Sequence, residues 1–135
     1  MDKIWCVTAI LQNLKGQVLL HQRDEKPGLA FPGYWSTLGG KIETAESPEE
    51  AIHRELLEEI GVDVPVRLWK VYERNAADHL IIIQCVYVGQ IDYALSELVL
   101  NEGQDLNYFG PDDLKALPIA FGFDALLKDY FAHNL

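Results

Sequence analysis

Apolar and polar positions change period several times along this chain, and each change predicts an element. Ile4–Leu11 is dense in β-branched and aromatic residues and reads as a strand. Lys15-Gly16 offers a turn, and Gln17–Arg23 alternates apolar and polar side chains, so it is expected to return on the first strand as a hairpin. Asp24–Gly33, with two glycines and two prolines, reads as a loop. Trp35–Leu38 is a short extended piece ending in Gly39-Gly40. Val64–Glu73 and Leu80–Val88 read as further strands, with the turn between them at Asn75–Asp78. Ile81–Val88 is apolar almost throughout, which predicts a central place in a sheet. Leu106–Phe109 reads as a last short strand, whereas Ser96–Gln104 shows no firm period. Pro111–Lys115 starts like a helix, and Phe121–Phe131 carries an apolar stripe at helical spacing.

One helix is signalled by its ends as well as its middle. Ser47 suits the N-cap, Pro48 the first helical position, and Glu50 completes a capping box three residues after Ser47. Gly61 supplies the stop, so the helix is expected over Pro48–Ile60. Strands and helices mix without a regular βαβ alternation. The expected class is α+β, a mixed sheet sandwiched between helices. The length of 135 residues suits one domain, 1–135, and at 49% hydrophobic residues the chain can build one packed core.

Charge narrows the functions. The formal net charge is −10, from 11 basic and 21 acidic residues. A nucleic-acid polymer as partner needs a basic surface, and this balance argues against one. It is also awkward for binding phosphates unless a divalent cation intervenes locally. Cys6 and Cys85 lie in strand-like apolar runs without CxxC spacing and read as reduced core thiols. The start Met1-Asp2-Lys3-Ile4-Trp5 lacks a signal-peptide layout. No apolar run approaches the roughly 20 residues that span a bilayer. A cytoplasmic location without a membrane partner is therefore expected.

Candidate chemistry concentrates on the predicted helix. Glu55, Glu58 and Glu59 fall within about 100° of arc on one face, beside the apolar Ile52, Leu56 and Ile60. Most helical glutamate clusters are simply solvated. These three repel one another, and a hard divalent cation turns that repulsion into affinity; oxygen donors suit Mg²⁺ or Mn²⁺ rather than Zn²⁺. Arg54 lies one step outside the arc, next to Glu50 and Glu58, and can fix a carboxylate through a forked hydrogen bond. Gly39-Gly40 precedes the helix by a short loop holding Glu43 and Glu46, and a glycine pair lets backbone approach a ligand closely.

Read as one unit, Gly40, Glu46, Arg54-Glu55-Leu56, Glu58-Glu59, Gly61 and Val62 match the pattern G-x5-E-x7-R-E-U-x-E-E-x-G-U at every defined position, U being a bulky apolar residue. The chain thereby resembles the Nudix hydrolases, and the flanking elements follow the same order. The resemblance implies an α/β/α sandwich and hydrolysis of a nucleoside diphosphate linked to another group, by in-line attack of water with divalent cations. It assigns Glu55, Glu58 and Glu59 as metal carboxylates and the Gly39 carbonyl as a further ligand. It makes Arg54 an orienting residue and Glu46 an outer residue that steadies the loop. The general base is Glu55 or Glu102, the latter in the loop Asn101-Glu102-Gly103-Gln104. Members often form homodimers.

The substrate is less legible. Arg23 and Lys41 can meet phosphate, and Phe31, Tyr34, Trp35, Tyr108 and Phe109 can stack on a base, although core packing competes for each aromatic. His53 misses the carboxylate arc, and His21 and His79 lack ligand spacing. Tags linked in this family with ADP-ribose, dinucleoside polyphosphates, coenzyme A and NADH do not appear. Nucleoside triphosphates, oxidised ones included, remain by elimination. Two other readings compete: a catalytically silent nucleotide-binding module, and a non-hydrolytic isomerase, for which the extra pocket residue and segments are lacking.

Overall fold

The computed structural model describes residues 2–133; Met1, at the head of the N-terminal reading, lies outside them. Among the described residues, seven strands and two α-helices form, besides three short 3-10 turns: β1 (Asp2–Gln12), β2 (Val18–Gln22), β3 (Trp35–Ser36), β4 (Leu38–Lys41), α1 (Pro48–Ile60), β5 (Arg67–Ala77), β6 (Leu80–Gln90), β7 (Asp105–Phe109) and α2 (Phe123–Ala132). The sheet is mixed, with path β3-β2-β1-β6-β5, while β4 also pairs β1 and β7 pairs β2. β1 and β6 run parallel from Asp2↔Leu80 to Gln12↔Gln90, so the apolar β6 is central, covered by β1 and β5. α1 packs on one side of the sheet over Val7, Ala9, Leu11 and Tyr87. On the other side, Phe123, Leu126, Leu127 and Tyr130 of α2 pack over Ile10, Leu20 and Val86. The result is the expected α/β/α sandwich.

α1 has the predicted bounds because its ends are satisfied locally. Glu50 N donates to Ser47 Oγ (3.1 Å), Ser47 N donates to Glu50 Oε1 (2.9 Å), and Gly61 takes the left-handed cap conformation. Ile52, Leu56 and Ile60 are fully buried; each such side chain contributes roughly 1.5–3 kcal/mol.

Four expectations need correction. The predicted hairpin of β1 with β2 shrinks to one register pair, Gln12↔Val18. β4 occupies the edge of β1 along Cys6–Ala9, so β2 turns away to pair with β7 and β3. The glycine pair lies inside β4 rather than after it. Gly39 adopts φ +146° opposite Thr8, and a Cβ there would stand 2.1 Å from the Val7 carbonyl oxygen. The strand placed at Val64–Glu73 starts later, because Val64 buries against α1 instead, and it runs on through Ala77 past a bulge. The turn is consequently shorter than Asn75–Asp78 suggested and centres on Asp78-His79, with His79 left-handed.

Candidate active site

α1 buries two of its glutamates. Glu59 is 2% exposed and Glu55 8%, on the side of the helix that faces β4. Gly39 N donates to Glu59 Oε2 at 2.9 Å, tying strand to helix. Gly40 is needed for space, since a Cβ there would lie 2.5 Å from Glu55 Oε1. The third carboxylate arrives from far along the chain. Val99 N donates to Ile60 O (3.0 Å) and Asn101 N to Glu59 O (3.1 Å), satisfying carbonyls that the end of α1 leaves open. Gln104 N donates to Gln22 O (2.8 Å), stitching the far side of the same loop to β2. Glu102 is thus held over the helix, and carboxylate oxygens of Glu55, Glu59 and Glu102 lie within 4.8 Å of one another.

Electrostatics make this group unfavourable as it stands. Burial, followed by the charges of Glu102 and Glu55, pushes the Glu59 carboxyl well above its ordinary range. Burial also raises Glu55, although the Arg54 guanidinium opposes it. Glu59 Oε1 is buried without any hydrogen-bond partner. A divalent cation fits this donor set: it is all oxygen, densely negative, and holds an unpartnered lone pair.

Arg54 braces the rim, but the forked bond goes elsewhere than its sequence neighbours suggest. Its Nε and Nη2 donate to the two Glu46 oxygens at 2.6 and 2.9 Å. Nη1 reaches Glu55 Oε1 (3.0 Å) and Glu58 Oε2 (3.1 Å), and Nη2 also reaches the Lys41 carbonyl (3.1 Å). That fork holds Glu46 at about 2. Glu46 in turn accepts from Glu43 N at 3.0 Å, which steadies the loop before α1. Glu50 is engaged in the helix cap instead. Glu58, with its side chain 56% exposed, rests on Arg54 and stands apart from the group that Glu55, Glu59 and Glu102 form.

Two cavities meet at Glu102. An open cleft of about 710 Å³ is lined by Lys41, Arg54, Glu55, Glu58 and Glu102. A smaller one, about 300 Å³, is lined by His21, Arg23, Arg74, Gln84, Glu102 and Phe121, among others. The guanidiniums of Arg23 and Arg74 both lie over the Phe121 ring, 4.8 and 5.4 Å from its centroid. Arg23 and Lys41, expected near phosphate, therefore both line a cavity that Glu102 shares, and Lys41 also lines the cleft of Glu55 and Glu58. Trp35 and Phe109 do not: they pack edge to face, 4.8 Å between ring centroids, in the core beneath α2. This placement argues against the stacking role expected of them, and apolar burial is the physical reason. Phe31 packs on Phe121, and Tyr34 on Phe31. His53 is a surface residue whose ring contacts the Asp63 carboxylate.

Sequence reasoning missed His21, Arg74, Gln84 and Phe121. Only Gln84 left a trace, as the lone polar residue in the apolar run of β6; it is buried, and its Oε1 accepts from Arg74 Nε at 3.4 Å.

The sandwich and the carboxylate group beside α1 define a class, and the comparisons agree. Residues 3–130 match the family model described as NUDIX domain, and the chain belongs to that family. It is 30% identical over 133 residues to a CTP pyrophosphohydrolase of Escherichia coli strain K12, covering 98% of this chain and 94% of that one. It is 40% identical over 79 residues to an RNA pyrophosphohydrolase of Gluconacetobacter diazotrophicus, covering 53% of this chain but only 47% of that protein. Among solved structures, a MutT protein from Methanosarcina mazei Go1 superposes with a TM-score of 0.83 over 98% of this chain and 96% of the other; at 22% identity it speaks for the fold alone.

Proposed function

We propose that this chain is a divalent-metal-dependent pyrophosphohydrolase acting on a nucleoside triphosphate or a related nucleoside diphosphate derivative. The carrying observation is the meeting of Glu55, Glu59 and Glu102, one of them with an unpartnered buried oxygen, at cavities walled by Arg23, Lys41 and Arg74. Glu55, Glu59 and Glu102, with Glu58 and the Gly39 carbonyl, would hold Mg²⁺ or Mn²⁺. Such an ion supplies charge to phosphoryl oxygens and acidifies water. The chain's own residues do the rest. Arg23, Arg74 and Lys41 attract the anionic substrate into an otherwise acidic protein. Glu55 or Glu102 accepts the proton of the attacking water. Arg54 keeps Glu55 in place and, through Glu46, the loop beside it.

The near full-length likeness to a protein named for CTP favours a free nucleotide as substrate. The net charge of −10 stands against a polynucleotide. The thiols of Cys6 and Cys85 are free, and no helix among the described residues is long and apolar enough to cross a membrane; both fit work in the cytoplasm, as a monomer or a homodimer.

The test is a panel of nucleoside triphosphates incubated with Mg²⁺, and separately with a chelator. Release of monophosphate and pyrophosphate only with the metal is expected. Equal turnover with the chelator would sink the proposal. Tight binding with no product after long incubation would return the silent binding module.

A further inference from the structure

Gln84 interrupts the apolar run of β6 two residues before Val86, so it faces the α2 side of the sheet. It is 1% exposed and lines the smaller cavity together with Arg74, Phe121 and Glu102. Its Oε1 accepts a single long hydrogen bond, 3.4 Å from Arg74 Nε. A guanidinium can only donate, so the amide oxygen is the atom that faces Arg74, and both N–H donors of Nε2 are left over. No acceptor takes them among the described residues, and Nε2 is not one of the sealed unpartnered atoms, so it opens on the cavity. Arg74 is itself held against two rings, its guanidinium 5.4 Å from the Phe121 centroid and 5.8 Å from that of Phe123. Phe121 keeps φ +61°, a left-handed conformation that is costly for a bulky residue, with its side chain at the cavity wall. A buried amide and a guanidinium thus offer neighbouring donors beside an aromatic ring.

We propose that Gln84, together with Arg74, selects the nucleobase of the substrate by donating hydrogen bonds to two neighbouring acceptors on its edge. This rests on reading the chain as a nucleotide hydrolase. The two cavities meet at Glu102, so a nucleotide with its phosphates at the carboxylates places its base in the smaller one. Cytosine offers O2 beside N3, and guanine offers O6 beside N7. Uracil sets an N3–H between its two oxygens, and adenine sets its amino group beside both N1 and N7, so each turns a donor toward a donor. Donors left unmatched in a buried site discriminate strongly between substrates. The site therefore favours cytosine over uracil and guanine over adenine, two comparisons at nearly equal size.

The test uses those matched pairs. With Mg²⁺, kcat/KM for CTP over UTP and for GTP over ATP should be about tenfold or more in the unaltered protein and fall to within about threefold in Gln84→Met, which keeps the volume and removes the amide. The ratio does not depend on how much of the variant is folded. A second measurement needs no variant: titrating ¹⁵N-labelled protein with CMP in Mg²⁺ should move the Gln84 side-chain amide signal downfield, and UMP should leave it near its free position. Equal kcat/KM within each pair, or an amide signal that answers CMP and UMP alike, would overturn the proposal and leave nucleotide hydrolysis standing. Neither turnover nor binding of any nucleotide would overturn the reading beneath it, so the two failures are distinguishable.

Discussion

The two sides of the sheet solve opposite problems. On the α2 side, the core is apolar and aromatic, and its buried hydroxyl is matched: Tyr130 donates to Gln12 Oε1 at 2.6 Å. On the α1 side, an equally apolar core carries Glu55 and Glu59 at its edge. Among the described residues, the unpartnered buried polar side-chain atoms are Glu59 Oε1, His21 Nδ1 and Tyr87 Oη, all on that side. One face spends its residues on cohesion, and the other holds charges that the folded chain by itself leaves unfavourable. The difference teaches that the α1 side concentrates the buried charge and the unmatched polar atoms that the α2 side lacks.

The sharpest break of this contrast is Glu59→Gln. It should lower turnover about a thousandfold, roughly 4 kcal/mol, the scale seen when one preorganised charge-stabilising group is lost. The same change should make the metal-free protein more stable. Because the folded state raises the Glu59 carboxyl above 4.5, the folded protein holds a proton that the unfolded chain gives up. Stability is then greatest below that pH and declines as pH rises through the raised value, where the buried group must ionise. Urea melts in chelator from acid to mildly alkaline pH should show this decline flattened in Glu59→Gln. A variant that is both fully active and no more stable would remove the contrast.

A second change probes the other side. Leu127 is fully buried under α2. Leu127→Ala should cost about 2–5 kcal/mol by leaving a cavity. Turnover of the folded fraction should stay unchanged, as should metal affinity by calorimetry. A marked loss of metal affinity would mean that the two sides are coupled.

The smallest effect is expected from Ser47→Ala. Losing the cap of α1 should lower stability by about 1 kcal/mol in a thermal melt. Activity at a temperature where the variant stays folded should persist, because Arg54, Glu46 and the loop hydrogen bonds still hold the glutamates.

Legibility in the sequence followed the range of the interaction. α1 was read residue for residue since Ser47, Glu50 and Gly61 act on atoms a few positions away. Glu55 and Glu59 share a face by helical geometry alone, so their pairing was legible too. The edge of β1 was not: β2 and β4 compete for it, and nothing in Gln17–Arg23 reveals that β4 takes most of it. Trp35 and Phe109 look the same in sequence whether they stack on a ligand or on each other.

What the chain determined by itself is therefore the family, the capped helix and the spacing of its carboxylates, all products of short-range covalent and hydrogen-bonding geometry. Only the tertiary structure decided that Glu102 comes to lie with Glu55 and Glu59, that Arg54 clasps Glu46, and that His21 stands near Glu59. Those contacts join residues dozens of positions apart, and their geometry follows from how the loop after α1 docks on open helix carbonyls and on β2, which no local pattern encodes.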